Sequence, residues 1–265
     1  SHSLSNLAFE QNYYWKIVAK DDHTNTTDGP VWRFTTRAGV WTAMTSGTTV
    51  DFFDVWGTAN NNIYAVGDGG AIYRYNGTQW AYVRNSGGQI LNGVHGTSPT
   101  NIYAVGRSGA DTGLVLRYNG IGWAVDETIG NTELYDVWAA SSSDVFAAGK
   151  WVFQGNGAIW HYNGADWEYQ GSADMDNQWL RGVWGTDGSN VSAVSQWSII
   201  SGQVLHYNGS AWTVDVEGYP ESGGLDDGMY GIFGTAANNI FAVGEGGYVL
   251  RFDGSSWTNV GPGPA

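Results

Sequence analysis

The chain should fold as an all-β propeller of four-stranded antiparallel blades, and three regularities carry that expectation. A tryptophan recurs at Trp41, Trp80, Trp123, Trp167, Trp212 and Trp257, at spacings of 39, 43, 44, 45 and 45 residues. Five of these follow a turn pair, at Asn76-Gly77, Asn119-Gly120, Asn163-Gly164, Asn208-Gly209 and Asp253-Gly254, dipeptides whose positive φ angles suit a tight hairpin. The segments between are short, β-rich and punctuated by glycine, without helical period. A repeat of about 40 to 50 residues with four strands per unit is a propeller signature.

Each unit reads in the same order. It opens on Val55-Trp56-Gly57-Thr58, echoed by Val94-His95-Gly96-Thr97, Val137-Trp138-Ala139-Ala140, Val183-Trp184-Gly185-Thr186 and Ile232-Phe233-Gly234-Thr235. A second strand follows at Asn62-Ile63-Tyr64-Ala65-Val66-Gly67, with counterparts at 101–106, 144–149, 190–195 and 239–244. The third precedes the turn, as in Ile72-Tyr73-Arg74-Tyr75, and the fourth begins at the recurring tryptophan. Such a blade cannot bury both faces alone, so the recurring aromatics are expected in the seams where blades stack.

Residues 47–265 hold five such units, and residues 1–46 decide whether there is a sixth. Val31-Trp32-Arg33-Phe34 matches the third-strand pattern and Trp41 the fourth-strand tryptophan, while 15–20 could supply a second strand. That makes six blades, the last an atypical N-terminal one. The alternative is five blades with the N-terminal strands attached.

Composition narrows the partners. Lys plus Arg number 11 against 25 Asp plus Glu, a formal charge of −14, which disfavours nucleic acid or anionic lipid as a partner. The chain has no cysteine, hence neither disulfides nor thiolate chemistry. No apolar run reaches the ~18 residues of a membrane helix, so no membrane insertion is expected.

Asp54 to Trp80, with Val-Trp-Gly-Thr, Asn-Ile-Tyr-Ala-Val-Gly, Gly-Gly, Tyr-Asn-Gly and Trp in order, resembles the bacterial extracellular propeller repeats related to the Asp-box families. The resemblance spans nearly the whole chain. It implies a secreted or cell-surface setting and the company of adhesion modules, sugar-binding lectins and sialidases. The strict Asp-box order is not reproduced, which removes the basis for carrying over catalytic residues. Residues 4–36, with Tyr13-Tyr14-Trp15 and Gly29-Pro30-Val31-Trp32, resemble the last strands of a fibronectin type III domain.

Departures from the repeat mark the candidate binding face. The loop between second and third strands is short at 67–70 and 244–247 but longer at 106–113, 149–157 and 195–202. These insertions bring Arg107, Asp111, Lys150, Trp151, Phe153, Gln154, Gln196 and Trp197 to one end of the ring. Two blade-to-blade loops add Asp174, Asp176, Asn177 and Trp179, and Tyr219, Glu221, Asp226 and Asp227. An indole flanked by amides or carboxylates can stack on a sugar ring and bond its hydroxyls. The expected site is therefore Trp151, Trp179 and Trp197 as platforms, with Phe153, Gln154, Asn177, Gln196 and Asp226 around them.

The opposing reading folds those tryptophans inward to seal their loops. The acidic residues could hold Ca²⁺, but without an EF-hand spacing a solvated rim is the simpler account. His161 and His206 replace the arginine of the third strand and His95 the tryptophan of the first, which makes them structural. No Ser-His-Asp or His-x-x-x-His arrangement can be assembled. The sequence thus predicts a non-enzymatic extracellular module without cofactor or metal, binding a glycan or a cell-surface protein. A protein-interaction or structural spacer is the alternative, and a glycoside hydrolase or lyase the third reading.

Overall fold

In the computed structural model, residues 43–84, 87–171, 175–197, 202–219 and 228–261 are described, together with four N-terminal strands. The chain divides into two compact units, 1–45 and 46–265. In the first, β1 (Asn12–Trp15) pairs antiparallel with β4 (Trp32–Thr35), and β2 (Val18–Lys20) with β3 (Thr26–Asp28). The stretch 15–20, expected as one strand, is thus divided between two ladders, and these described strands form two-stranded pairs rather than a four-stranded sheet. Trp41 lies outside the described residues.

The second unit is a β-propeller. Its first blade is β5 (Phe52–Ala59), β6 (Asn62–Gly67), β7 (Ile72–Tyr75) and β8 (Trp80–Arg84), and its second β9 (Gln89–Ser98), β10 (Asn101–Ser108), β11 (Thr112–Tyr118) and β12 (Trp123–Gly130). The third holds β13 (Thr132–Ser141), β14 (Asp144–Trp151), β15 (Gly157–Tyr162) and β16 (Trp167–Tyr169). The fourth holds β17 (Gln178–Asp187), β18 (Asn190–Trp197), β19 (Gly202–Tyr207) and β20 (Trp212–Tyr219), and the fifth β21 (Met229–Ala236), β22 (Asn239–Gly244), β23 (Val249–Phe252) and β24 (Trp257–Asn259). Each is a four-stranded sheet in sequence order.

The turn pairs work differently from the hairpin expected of them. Only the glycine takes a left-handed φ, +97° at Gly77 and +92° at Gly120. The preceding Asn76 instead caps the turn, its Oδ1 accepting the Thr78 and Gln79 amides at 3.0 Å each, an Asx-turn. Asn163 and Asp253 do the same.

The apolar cores lie between blades. Tyr64, Val66 and Ile72 of the first blade pack with Leu91, Ile102 and Leu116 of the second, and Phe146, Ile159 and Trp138 of the third with Leu180, Leu205 and Trp212 of the fourth. A single sheet could not bury these residues, so the blades stabilise one another. The first strands are linked ring to ring. The indoles of Trp56, Trp138 and Trp184 lie against Gly96, Gly185 and Gly234 of the next blade, where an added Cβ would meet the ring at 2.9, 2.9 and 2.6 Å. His95 sends a smaller ring forward; its Nδ1 accepts the amide of Ala139 at 3.1 Å, and there the receiving residue is alanine.

Two carboxylates reinforce these links. Asp54 accepts the amides of Val55 and of Val94 in the next blade, each at 2.7 Å. Asp136 accepts those of Val137 and of Val183 in the next blade, each at 2.8 Å. Burial pushes Asp54 up to about 6. Burial also pushes Asp136 up to about 7, with the negative charge of Asp54 adding to the rise.

Candidate functional site

The three lengthened loops emerge where the first strand begins and the second ends, so they share one end of the propeller. A cationic and aromatic cluster sits there across the second, third and fourth blades. Glu133 of β13 is its hub. Its carboxylate pairs with Arg107 Nε at 3.2 Å and Lys150 Nζ at 3.4 Å, and accepts the Tyr135 hydroxyl at 3.0 Å. Lys150 Nζ lies 3.8 Å from the centre of the Trp179 ring. The Arg181 guanidinium lies 4.1 Å from the Tyr135 ring and 5.2 Å from that of Trp179, and its Nε donates to Gln196 Oε1 at 2.9 Å.

Two cations thus pair with one carboxylate, and a third, Arg181, lies over the ring of the tyrosine that bonds it, on a chain whose formal charge is −14. Cation–π contact with Trp179 and Tyr135 orders the long basic side chains, each contact being worth about 0.5–2 kcal/mol. Burial raises the Tyr135 hydroxyl above the ordinary tyrosine range, so at neutral pH it remains a donor to Glu133. The cluster offers positive charge held rigidly beside aromatic surface, suited to carboxylates on a partner.

The expected platform residues are placed as follows. Trp151 packs edge-on against Trp160 and Tyr169, with ring centres 5.9 and 5.3 Å apart, so it seals its loop against its own blade. Trp179 has its face covered by Lys150 and its neighbour Arg181. Phe153 stands at the loop tip, 73% exposed, and Gln154 beside it is exposed. The loop is held by its own backbone bonds, Trp151 N to Asn156 O at 2.7 Å and Gly155 N to Trp151 O at 2.9 Å.

Asn177 adopts a positive φ of 59°, and its amide donates to Asn156 Oδ1 at 3.1 Å while Asn156 Nδ2 donates to Asp176 at 2.7 Å. Asparagine tolerates that backbone. Asn177 therefore joins two loops rather than presenting a free contact through its backbone. Gln196 is committed to Arg181. Trp197 ends β18 opposite Gln178; its side chain, and Asp226 with Asp174 and Asp227, fall outside the described part. Among the described residues no group of three potential metal-ligating side chains is found.

Sequence reading singled out Arg107, Lys150 and Trp179 but missed the pairing that unites them. Glu133, Tyr135 and Arg181 sit on regular first strands, where the repeat looked uninteresting. The signal was nonetheless present: the position two before the Val or Ile of the opening motif varies between units, as Phe53, Asn92, Tyr135, Arg181 and Tyr230. The histidines fall as expected. His161 bonds Asp144 at 2.7 Å and His206 bonds Asn190 at 2.8 Å, reproducing Arg74 on Asn62 and Arg251 on Asn239. Burial lowers His95 to about 4, which keeps it neutral as the acceptor for Ala139.

No protein-family model and no curated protein matches the chain. Solved structures do. YCF48 from Cyanidioschyzon merolae superposes with a TM-score of 0.57 at 14% identity, covering 86% of this chain and 78% of that one. YCF48 bound to D1 peptide gives 0.56 at 15% identity, covering 81% and 70%. A chain of the nidogen/laminin complex gives 0.55 at 12% identity, covering 77% and 76%. Similarity at this level establishes the propeller fold.

Proposed function

We propose that this propeller is a protein-interaction module whose contact surface is the Arg107–Glu133–Tyr135–Lys150–Trp179–Arg181 cluster, and that it recognises an acidic segment of a partner. The observation that carries this reading is the concentration of ordered cations on one end of a strongly acidic molecule. Like-charged partners are repelled elsewhere and drawn here, which favours orientation and encounter rate. The neighbours point the same way, since YCF48 is seen with a peptide and a nidogen/laminin complex is a protein–protein assembly. Phe153 at the adjacent loop tip supplies an apolar contact beside the charge.

Protein contact is preferred to glycan stacking because Trp151 and Trp179 already use their rings within the chain. The hydrolase reading needs two carboxyls facing a substrate. Asp54 and Asp136, the raised pair, are instead committed to backbone amides of adjoining blades. We infer a non-enzymatic, extracellular or cell-surface role on these grounds together with the repeat resemblance.

The test is titration of a short Glu- and Tyr-rich peptide into the protein at low and high salt. Binding should weaken with salt and fall about tenfold or more in Lys150→Ala/Arg181→Ala, since charged hydrogen bonds are each worth about 1.5–3 kcal/mol. Unchanged affinity in a folded double variant would refute the assignment.

A further inference from the structure

At the opposite end of the blades lies a second feature, independent of that cluster. The repeat builds each blade junction with an aromatic ring from the second strand set against the fourth-strand tryptophan of the next blade. Tyr64 meets Trp123 at 6.0 Å, Tyr103 meets Trp167 at 6.3 Å, and Phe146 meets Trp212 at 6.3 Å. The fourth blade has Ser192 at this position and the fifth presents Trp257. Where the ring is absent, a cleft of about 640 Å³ opens, lined by Ser192, His206, Asp215, Ile240, Phe252 and Trp257. The clefts at the first two junctions, where the ring is present, are smaller, about 370 Å³ beside Tyr64 and Trp123 and about 460 Å³ beside Arg117 and Asp126.

Two neighbouring groups are left unmatched by the same substitution. His161 stacks on Phe146, its strand partner, at 4.2 Å and 18° between planes. His206 pairs instead with Ser192, so its imidazole has no such ring beneath it among the described residues. The indole N–H groups of Trp167 and Trp212 donate to Asp126 and Gln170, at 2.9 and 3.3 Å, each residue standing three after the preceding blade's tryptophan. Asp215 holds that position for Trp257, yet Trp257 Nε1 is buried without a hydrogen-bond partner and Asp215 is exposed. Trp123 Nε1 is also unpartnered, but Val83 stands at its counterpart position and Tyr64 fills that junction. Among the described residues, a missing ring and an unpartnered donor with a carboxylate at hand coincide only between the fourth and fifth blades.

We propose that this cleft binds a small phenol-type aromatic molecule, whose ring takes the place the repeat elsewhere gives to tyrosine or phenylalanine. The repeat itself defines the ligand: a planar ring lying on His206 and edge-on to Trp257. A ring hydroxyl can donate to Asp215 and, with a small turn of the indole that uncovers its buried Nε1, accept from Trp257, satisfying a donor that is otherwise costly. Apolar cavities of about 150 Å³ already hold benzene, so volume does not limit entry.

The probe is p-cresol, the tyrosine side chain as a free molecule, titrated into the full chain at up to millimolar concentration and followed by calorimetry and tryptophan fluorescence. One molecule should bind, with cyclohexanol, which lacks the flat ring, at least tenfold weaker. Ser192→Phe should raise the melting temperature by several degrees and abolish p-cresol binding. Trp257→Phe should weaken p-cresol severalfold and leave toluene unchanged, which decides the matter even if Ser192→Phe fails to fold. The proposal is overturned if the wild type does not bind p-cresol, if cyclohexanol binds equally well, if folded Ser192→Phe retains binding, or if Trp257→Phe weakens toluene and p-cresol alike.

Discussion

The junction between the third and fourth blades and that between the fourth and fifth are built from the same repeat and end differently. In the first, Phe146 is fully buried, stacks on His161 and touches Trp212, whose indole reaches Gln170. In the second, Ser192 leaves His206 and Trp257 facing a cleft. One side chain thus separates a sealed seam from an open one, because the ring is the element that touches both neighbours. A repeat protein can acquire a cavity by a single departure without disturbing the strands, since the backbone registers on either side are unchanged: Phe146 opposite His161, Ser192 opposite His206.

The sharpest way to break the contrast is Phe146→Ser, which imposes the open seam on the sealed one. It should cost about 3–5 kcal/mol, the range for truncating a buried phenylalanine, read as a lower urea midpoint. A loss under about 1 kcal/mol would mean that the ring is not what holds that junction.

The next effect is a pH dependence carried by the interblade carboxylates. Asp54 and Asp136 have folded values near 6 and 7 against an ordinary 3.8, so between these limits the folded state holds protons that the unfolded state has released. Their share of stability is therefore fully present below about pH 4 and is lost as pH rises to about 7. The expected loss is of the order of a few kcal/mol. Urea unfolding at pH 4.5 and 7.5 checks it. Asp136→Asn should flatten the slope relative to wild type even though it weakens the bond to Val183, and an undiminished slope would assign the pH dependence elsewhere.

Smaller still is the indole contrast. Trp212→Phe gives up the bond to Gln170 and should destabilise by about 1 kcal/mol more than Trp257→Phe, which gives up none. Thermal melts of the two variants compare them directly; equal losses would show that the Gln170 bond contributes nothing. The turn caps come last. Asn163→Ala removes the acceptor for the Ala165 and Asp166 amides and, being exposed, should lower stability by about 0.5–1 kcal/mol. The other turns, untouched, provide the internal control.

The regular repeat was legible because it is local. Tryptophan spacing, turn pairs and strand composition depend on residues close in sequence, and in all five four-stranded sheets the motifs fall on the four strands in order. The candidate site was legible only in part. Loop lengthening located its end of the propeller and named Arg107, Lys150 and Trp179, but not Glu133, Tyr135 and Arg181, which regular strands carry there. Whether an indole is a platform or a seal depends on neighbours in space; Trp151 turned to Trp160 and Tyr169 in its own blade, and Trp179 lay under Lys150 of the blade before.

The sequence by itself determined the blade, its four strands, its hairpin caps and the positions at which one unit departs from the next, because these follow from local backbone preference and a fixed period. The tertiary structure decided which rings meet across a seam, that Asp54 and Asp136 clamp neighbouring first strands, that Arg107 and Lys150 pair with Glu133 while Arg181 lies over Tyr135, and that Ser192 stands at a cleft before Trp257. Those outcomes are contacts between units about 40 residues apart, and packing across that distance is set by the curvature of the stacked blades rather than by any signal within one of them.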